Sequence, residues 1–174
     1  MYTYYSCYRK NAKQSNTASV AVKTAIVTVL FSISTQVFAP EPVRGTVYQL
    51  TQKDTHCLVR NVYYESANQP IEGQAAVLQT TLNRAFANRE SICKTVYKQL
   101  VNGVCQFSWT CQTPKYIPPL KYKQTHDFVT DYVSGRYPHW QEKYKDTKYF
   151  HATYINPGWK RKVVDKVGQH VFYE

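Results

Sequence analysis

Acidic side chains are scarce in this chain of 174 residues: 11 Asp and Glu stand against 22 Lys and Arg, a net charge of +11. That imbalance points to a polyanionic partner, whether nucleic acid, an anionic membrane face or an acidic wall polymer. No C-x-x-C and no H-E-x-x-H occurs, and the five histidines are scattered, which argues against a zinc site. No phosphate loop, RNA motif or single basic stripe is present, so charge alone does not make a nucleic-acid binder. Internal repeats and low-complexity tracts are also absent. The longest apolar run, AIVTVLFSISTQVFA (25–39), has roughly 15 residues where a spanning helix needs about 20.

What precedes and includes that run has its own composition. Residues 1–39 contain no acid, and Arg9, Lys10, Lys13 and Lys23 precede the apolar stretch. This is the pattern of a secretory signal, so 1–39 is expected to be a signal peptide or a retained signal anchor and the protein to be exported. Val37-Phe38-Ala39 resembles a cleavage site, but Pro40 follows it, leaving an earlier cut near Ser34 or retention as alternatives. Residues 40–53 read as a linker and 54–174 as one domain.

Beyond Cys7, four cysteines remain: Cys57, Cys93, Cys105 and Cys111. An exported chain should oxidise them, and four allow three pairings. Cys105 and Cys111 bracket the short loop CQFSWTC, so Cys105–Cys111 and then Cys57–Cys93 are expected.

The periodicity predicts a helix capped by Asp54 or Thr55 and running through HCLVRNVYYES. Leu58, Val62 and Glu65 recur at i, i+4 and i+7 on its inward face. Pro70 opens a second helix to about Ala87, with Ile71, Ala75, Leu78 and Leu82 inward. A third covers 91–100, burying Ile92, Val96 and Leu100. A fourth covers 121–134, burying Phe128, Val129, Tyr132 and Val133 and ending at Gly135. KYFHATYI, VVDKV and QHVFYE read as short strands. Helices first and a small sheet late give an α+β fold.

Two carboxylates compete for chemistry. Glu65 shares a face with Leu58 and Val62; burial there favours its neutral form, as a general acid requires. A solvated or ion-paired surface residue is the alternative. Glu72 falls in the first turn of the second helix, where a negative charge meets the helix N-terminus. Its face-mates Ala76, Gln79 and Asn83 make a largely polar set, so it reads as a capping residue.

The block YYESANQPIEGQAAVLQTTLNR, the later QFSW (106–109) and the closing HATYINPGW…VGQHVFYE together resemble the cell-wall hydrolase family typified by the spore cortex-lytic enzyme (SleB type). The resemblance covers about 54–174. It implies a lysozyme-like, mostly helical domain with a small C-terminal sheet, acting on peptidoglycan without a cofactor or metal. The family's catalytic glutamate falls on Glu65. The usual Glu-Ala is Glu-Ser here, as in the soluble lytic transglycosylases. A second family glutamate, four residues on, is Gln69 here, which leaves Glu65 isolated.

The resemblance therefore implies cleavage of the β-1,4 bond between N-acetylmuramic acid and N-acetylglucosamine. One carboxylate suffices for a lytic transglycosylase, whereas ordinary hydrolysis uses two; Asp54, Asp127 and Asp131 read as cap or solvent-face residues. A muramidase and a non-catalytic wall-binding protein are the alternatives. Gln106, Ser108 and Trp109 are expected to hold the glycan, with Trp109 presented for stacking; otherwise Phe107 and Trp109 pack over the core. His151, Tyr154 and Asn156 are further substrate-binding candidates. The partners expected are glycan strands, with no nucleic acid, a transient membrane association through the N-terminal segment, and a monomeric chain.

Overall fold

The computed structural model describes residues 45–113 and 116–174. The expected signal over 1–39 and residues 40–44 of the expected linker lie outside the described residues.

The first helix, α1 (Gln52–Ser66), starts earlier than its apolar pattern predicts, because the cap is Thr51 rather than Asp54 or Thr55. The Thr51 hydroxyl accepts from the Asp54 N–H at 3.1 Å and donates to the Asp54 carboxylate at 2.9 Å. This reciprocal exchange satisfies an otherwise orphaned donor of the first turn. The other Asp54 oxygen accepts from the Cys93 N–H at 3.1 Å, fastening the short α3 (Ile92–Val96) to α1. The Cys57–Cys93 disulfide joins the same two helices, and Cys105–Cys111 closes the loop between them and the next helix.

Residues 45–51 are not a free linker but a strap along α4 (Pro119–Val133). Gly45 N–H donates to Gly135 at 3.0 Å and Tyr48 N–H to Val133 at 2.8 Å, while the Tyr48 ring stacks on Phe86 with centroids 5.5 Å apart. Gly135 has φ +82°, and a Cβ there would lie 2.7 Å from the Gly45 carbonyl oxygen. Glycine is required on both counts.

Central to the fold is α2 (Ile71–Asn88). Ala75, Leu78 and Leu82 join Leu58, Val62, Ile92, Val96, Phe128, Val129 and Tyr132 in one apolar cluster. Ala76 and Val77 face a second cluster with Tyr144 and Phe172. With both sides covered, the polar face-mates of Glu72 turn inward, Gln79 buried and Asn83 half-buried. Gln79 accepts from the Tyr132 hydroxyl at 3.0 Å and donates to Asn83 at 2.7 Å. Asn83 donates to the carbonyls of Tyr144 and Thr147 at 2.9 and 2.8 Å. These groups are tolerated inside because each is paired. Two expected apolar positions are instead open: Ile71 is 47% and Leu100 45% exposed. Leu100 lies outside α3, which ends at Val96.

A helix that the sequence reading did not include, α5 (Pro138–Lys143), follows α4. Lys143 bridges Glu72 at 2.7 Å and Asp165 at 2.6 Å, and the Tyr144 hydroxyl lies 3.0 Å and 2.8 Å from the same two carboxylates. Glu72 thus sits in the first turn of α2, as expected, and also ties that helix to the sheet.

Strands β1 (Tyr149–Ala152), β2 (Val163–Val167) and β3 (His170–Tyr173) form an antiparallel sheet in the order β1-β3-β2. The helices and this late sheet make the fold α+β, as expected. Tyr149 pairs with Tyr173, and His151 with Val171. Alternation places Tyr149, His151 and Tyr173 on one face, while Phe150 and Phe172 turn to the other, where Phe172 is fully buried. Among the described residues no helix is long and apolar enough to cross a membrane.

Candidate active site

Glu65 occupies the last turn of α1. Leu58 and Val62, two turns and one turn earlier, are fully buried, so the helix carries Glu65 inward. Burial pushes its carboxyl up from 4.5 to about 7, and the charge of Arg84 holds it down against that rise. The helix C-terminus adds a partial negative charge of its own, which also favours the neutral acid. Among the described residues no other carboxylate contributes to the shift.

Arg84 comes from the last turns of α2. Its Nε donates to the Lys148 carbonyl, and its guanidinium lies over the rings of Phe107 and Tyr149, 5.5 Å from each centroid. Burial lowers its pKa to about 10, against the opposing pull of Tyr149 and Glu65, so it remains a cation at neutral pH. Tyr149 continues the site along the sheet face. Trp159 meets Tyr149, His151 and Tyr173 edge-on at 5.9, 5.5 and 5.6 Å. His151 Nδ1–H donates to the Ala152 carbonyl at 2.8 Å, which leaves Nε2 to accept from the Tyr173 hydroxyl, also at 2.8 Å. The resulting surface comprises a carboxyl whose neutral form burial favours, a buried cation and a floor of rings.

The expected glycan-holding residues divide. His151 belongs to this floor. Gln106 is half-buried and Ser108 exposed, in the loop that also supplies Phe107. Trp109 is a correction: it is 7% exposed, stacks on Tyr64 at 4.5 Å and donates its indole N–H to Asn61 at 2.9 Å. It is a core residue, because the fully buried Asn61 gives its polar atom a partner. Tyr154 is 84% exposed and sits in a turn after β1 ends at Ala152, so strand alternation does not apply to it. Asn156 accepts from the Gly158 N–H at 3.1 Å. Among the described residues neither Tyr154 nor Asn156 forms a hydrogen bond or ring contact with Glu65, Arg84 or Tyr149.

Gln69, standing where the family's second glutamate is expected, has a structural task. Its Oε1 accepts from the Gln169 N–H at 2.8 Å and its Nε2 donates to Asn68 at 2.9 Å, locking the α1–α2 turn to the β2–β3 hairpin. Sequence reasoning missed Arg84, Tyr149, Trp159 and Tyr173. Arg84 closes the very block that carries the resemblance, and a cation among apolar periodic positions was the available signal.

A separate groove near the N-terminal end of α1 is lined by Leu50, Lys53, His56, Tyr122, His126 and Thr130, among others, none of them a carboxylate. It therefore offers no carboxylic acid and lies at the opposite end of the helix from Glu65. Among the described residues no cluster of three or more His, Cys, Asp or Glu could hold a metal.

A search of curated proteins gives no match. Among solved structures, the catalytic domain of the Bacillus cereus SleB protein is similar at 20% identity, with 74% of this chain and 95% of that chain covered and a TM-score of 0.46. The family model described as Cell Wall Hydrolase matches residues 68–173. That segment includes Arg84, Tyr149 and Trp159 and begins three residues after Glu65, whose role therefore stands on its surroundings. With more than half its length matched, the chain belongs to the cell-wall hydrolase family, and it is a peptidoglycan-degrading enzyme.

Proposed function

We propose that the protein is a lytic transglycosylase that cleaves the β-1,4 bond between N-acetylmuramic acid and N-acetylglucosamine with Glu65 as its single acid and base. The observation that carries this reading is a carboxyl whose pKa burial raises to about 7, with one cation and, among the described residues, no second carboxylate acting on it. Protonated Glu65 donates to the glycosidic oxygen as the bond to the muramic anomeric carbon breaks. The sugar develops oxocarbenium character. The carboxylate so formed takes the proton from the muramic 6-hydroxyl, whose oxygen closes onto the anomeric carbon as a 1,6-anhydro ring. No water is consumed and Glu65 ends protonated. Arg84 steadies the carboxylate between the two transfers, so one residue serves both as acid and as base near neutral pH.

Two-carboxylate hydrolysis needs partners about 5–5.5 Å or 6.5–9.5 Å apart. The other described carboxylates are mostly engaged elsewhere: Glu72 and Asp165 on Lys143, Glu90 on Lys94 and Lys98, Asp127 on Lys123, Asp131 on Arg136 and Glu174 on Lys162. The two disulfides favour an exported protein, and the net charge of +11 would hold it near anionic wall polymers.

Mass spectrometry of digested peptidoglycan tests the reaction type. Anhydro-muramic ends, lighter than reducing ends by one water, are expected. Reducing muramic ends throughout would make the enzyme a muramidase, and intact strands a wall binder.

A further inference from the structure

We propose that Arg161, stacked on Tyr149, forms a subsite that binds a carboxylate of the peptidoglycan strand lying over Glu65. The inference rests on the reading above only for what occupies the site.

Arg161 follows Trp159 in the loop between β1 and β2. Its guanidinium lies 3.6 Å from the Tyr149 ring centroid, a separation that only flat stacking allows. Stacking occupies the face of the guanidinium and leaves its N–H edge for a planar acceptor. Among the described residues no carboxylate takes that edge. The neighbouring Lys162 is already committed to Glu174, at 2.5 Å, while Arg161 is exposed and pairs with no carboxylate among the described residues. Tyr149 also underlies Arg84, whose charge acts on Glu65. One ring therefore carries both Arg161 and the cation whose charge acts on Glu65.

Trp159, 40% exposed, stands beside the same ring and offers an apolar face to a sugar. Rings that bind sugar faces next to a free guanidinium describe a saccharide that carries an acid. A neutral glycan would leave Arg161 unused. On peptidoglycan the acid has two sources: the lactyl group of the muramic residue, free wherever the stem peptide has been removed, and the side-chain or terminal carboxylates of the stem.

The test compares wild type, Arg161→Ala and Arg161→Lys on three walls: intact peptidoglycan, stem-stripped glycan strands, and intact peptidoglycan whose carboxylates have been converted to methylamides. Both turnover and sedimentation binding are measured. Arg161→Ala should raise KM and weaken binding about tenfold on carboxylate-bearing walls, with kcat within about twofold. Arg161→Lys should recover part of the loss, since it keeps the charge but not the fork. On the methylamide wall the variants should converge. A larger effect on stripped strands assigns the lactyl group, and an effect confined to intact walls assigns the stem. Equal behaviour of Arg161→Ala and wild type on native walls would overturn the proposal, as would a loss that persists on methylamide walls. Binding reads the subsite without turnover, so a protein that cleaves nothing yet shows the Arg161 difference would refute the catalytic reading alone.

Discussion

Replacing Glu65 with glutamine should remove most wall turnover and stabilise the protein in the same step. General acid–base groups contribute about 10²–10⁴-fold, so release of muropeptides from purified peptidoglycan should fall by about that factor. The stability change follows from the same burial. Below pH 4.5, the ordinary carboxyl value, native and unfolded chains are both protonated at this residue and no penalty exists. Between pH 4.5 and about 7 the unfolded chain ionises while the native one holds its proton, so stability falls as pH rises. Above that window the penalty levels off at about 3 kcal/mol. Glutamine cannot ionise and escapes it. Urea unfolding should therefore show the variant close to wild type at pH 4 and about 3 kcal/mol more stable at pH 8. A site that costs stability in exchange for reactivity behaves this way; a surface glutamate would show neither effect.

The second large effect concerns the Cys57–Cys93 bridge. Its sequence separation is 36, against 6 for Cys105–Cys111. In the chain-entropy account, loops of those sizes give about 4 and about 2 kcal/mol. Domains are stable by only about 5–15 kcal/mol, so a Cys57→Ala/Cys93→Ala double variant should lose a large share of its stability. Cys105→Ala/Cys111→Ala should lose about half as much. Chemical denaturation of both pairs checks the order, and an equal or reversed order would show that the α1–α3 bridge is not what restrains the unfolded chain. The bridge bears on the proposed reaction because α1 carries Glu65.

Much of the α1 face was legible, because Leu58, Val62 and Glu65 are read by helical period alone. The three strands were legible from β-branched and aromatic runs. The interior of α2 was not. Gln79 and Asn83 read only as part of a polar set in sequence, yet they and Thr80 bond to Tyr132, Tyr144 and Thr147, 53 to 67 positions away. Hydropathy cannot see a partner that distant. The same blindness misplaced Trp109, whose loop setting suggested exposure until Asn61, 48 positions earlier, supplied its hydrogen bond. The strap at 45–51 reads as a linker in sequence, yet its backbone bonds to α4 and the Tyr48 ring on Phe86 together dock it. The site itself was half legible. Glu65 followed from its helical face and from the family resemblance, but the Arg84–Tyr149–Arg161 series is assembled from one helix, one strand and one loop, and only folding brings the three together.

The pH dependence of kcat/KM on purified peptidoglycan tests most directly whether Glu65 delivers its own proton. Loss of that proton should give one descending limb with a midpoint near 7 and a plateau on its acid side. Activity that instead rises with pH through neutrality, or a descending midpoint near 4.5, the ordinary carboxyl value, would contradict it.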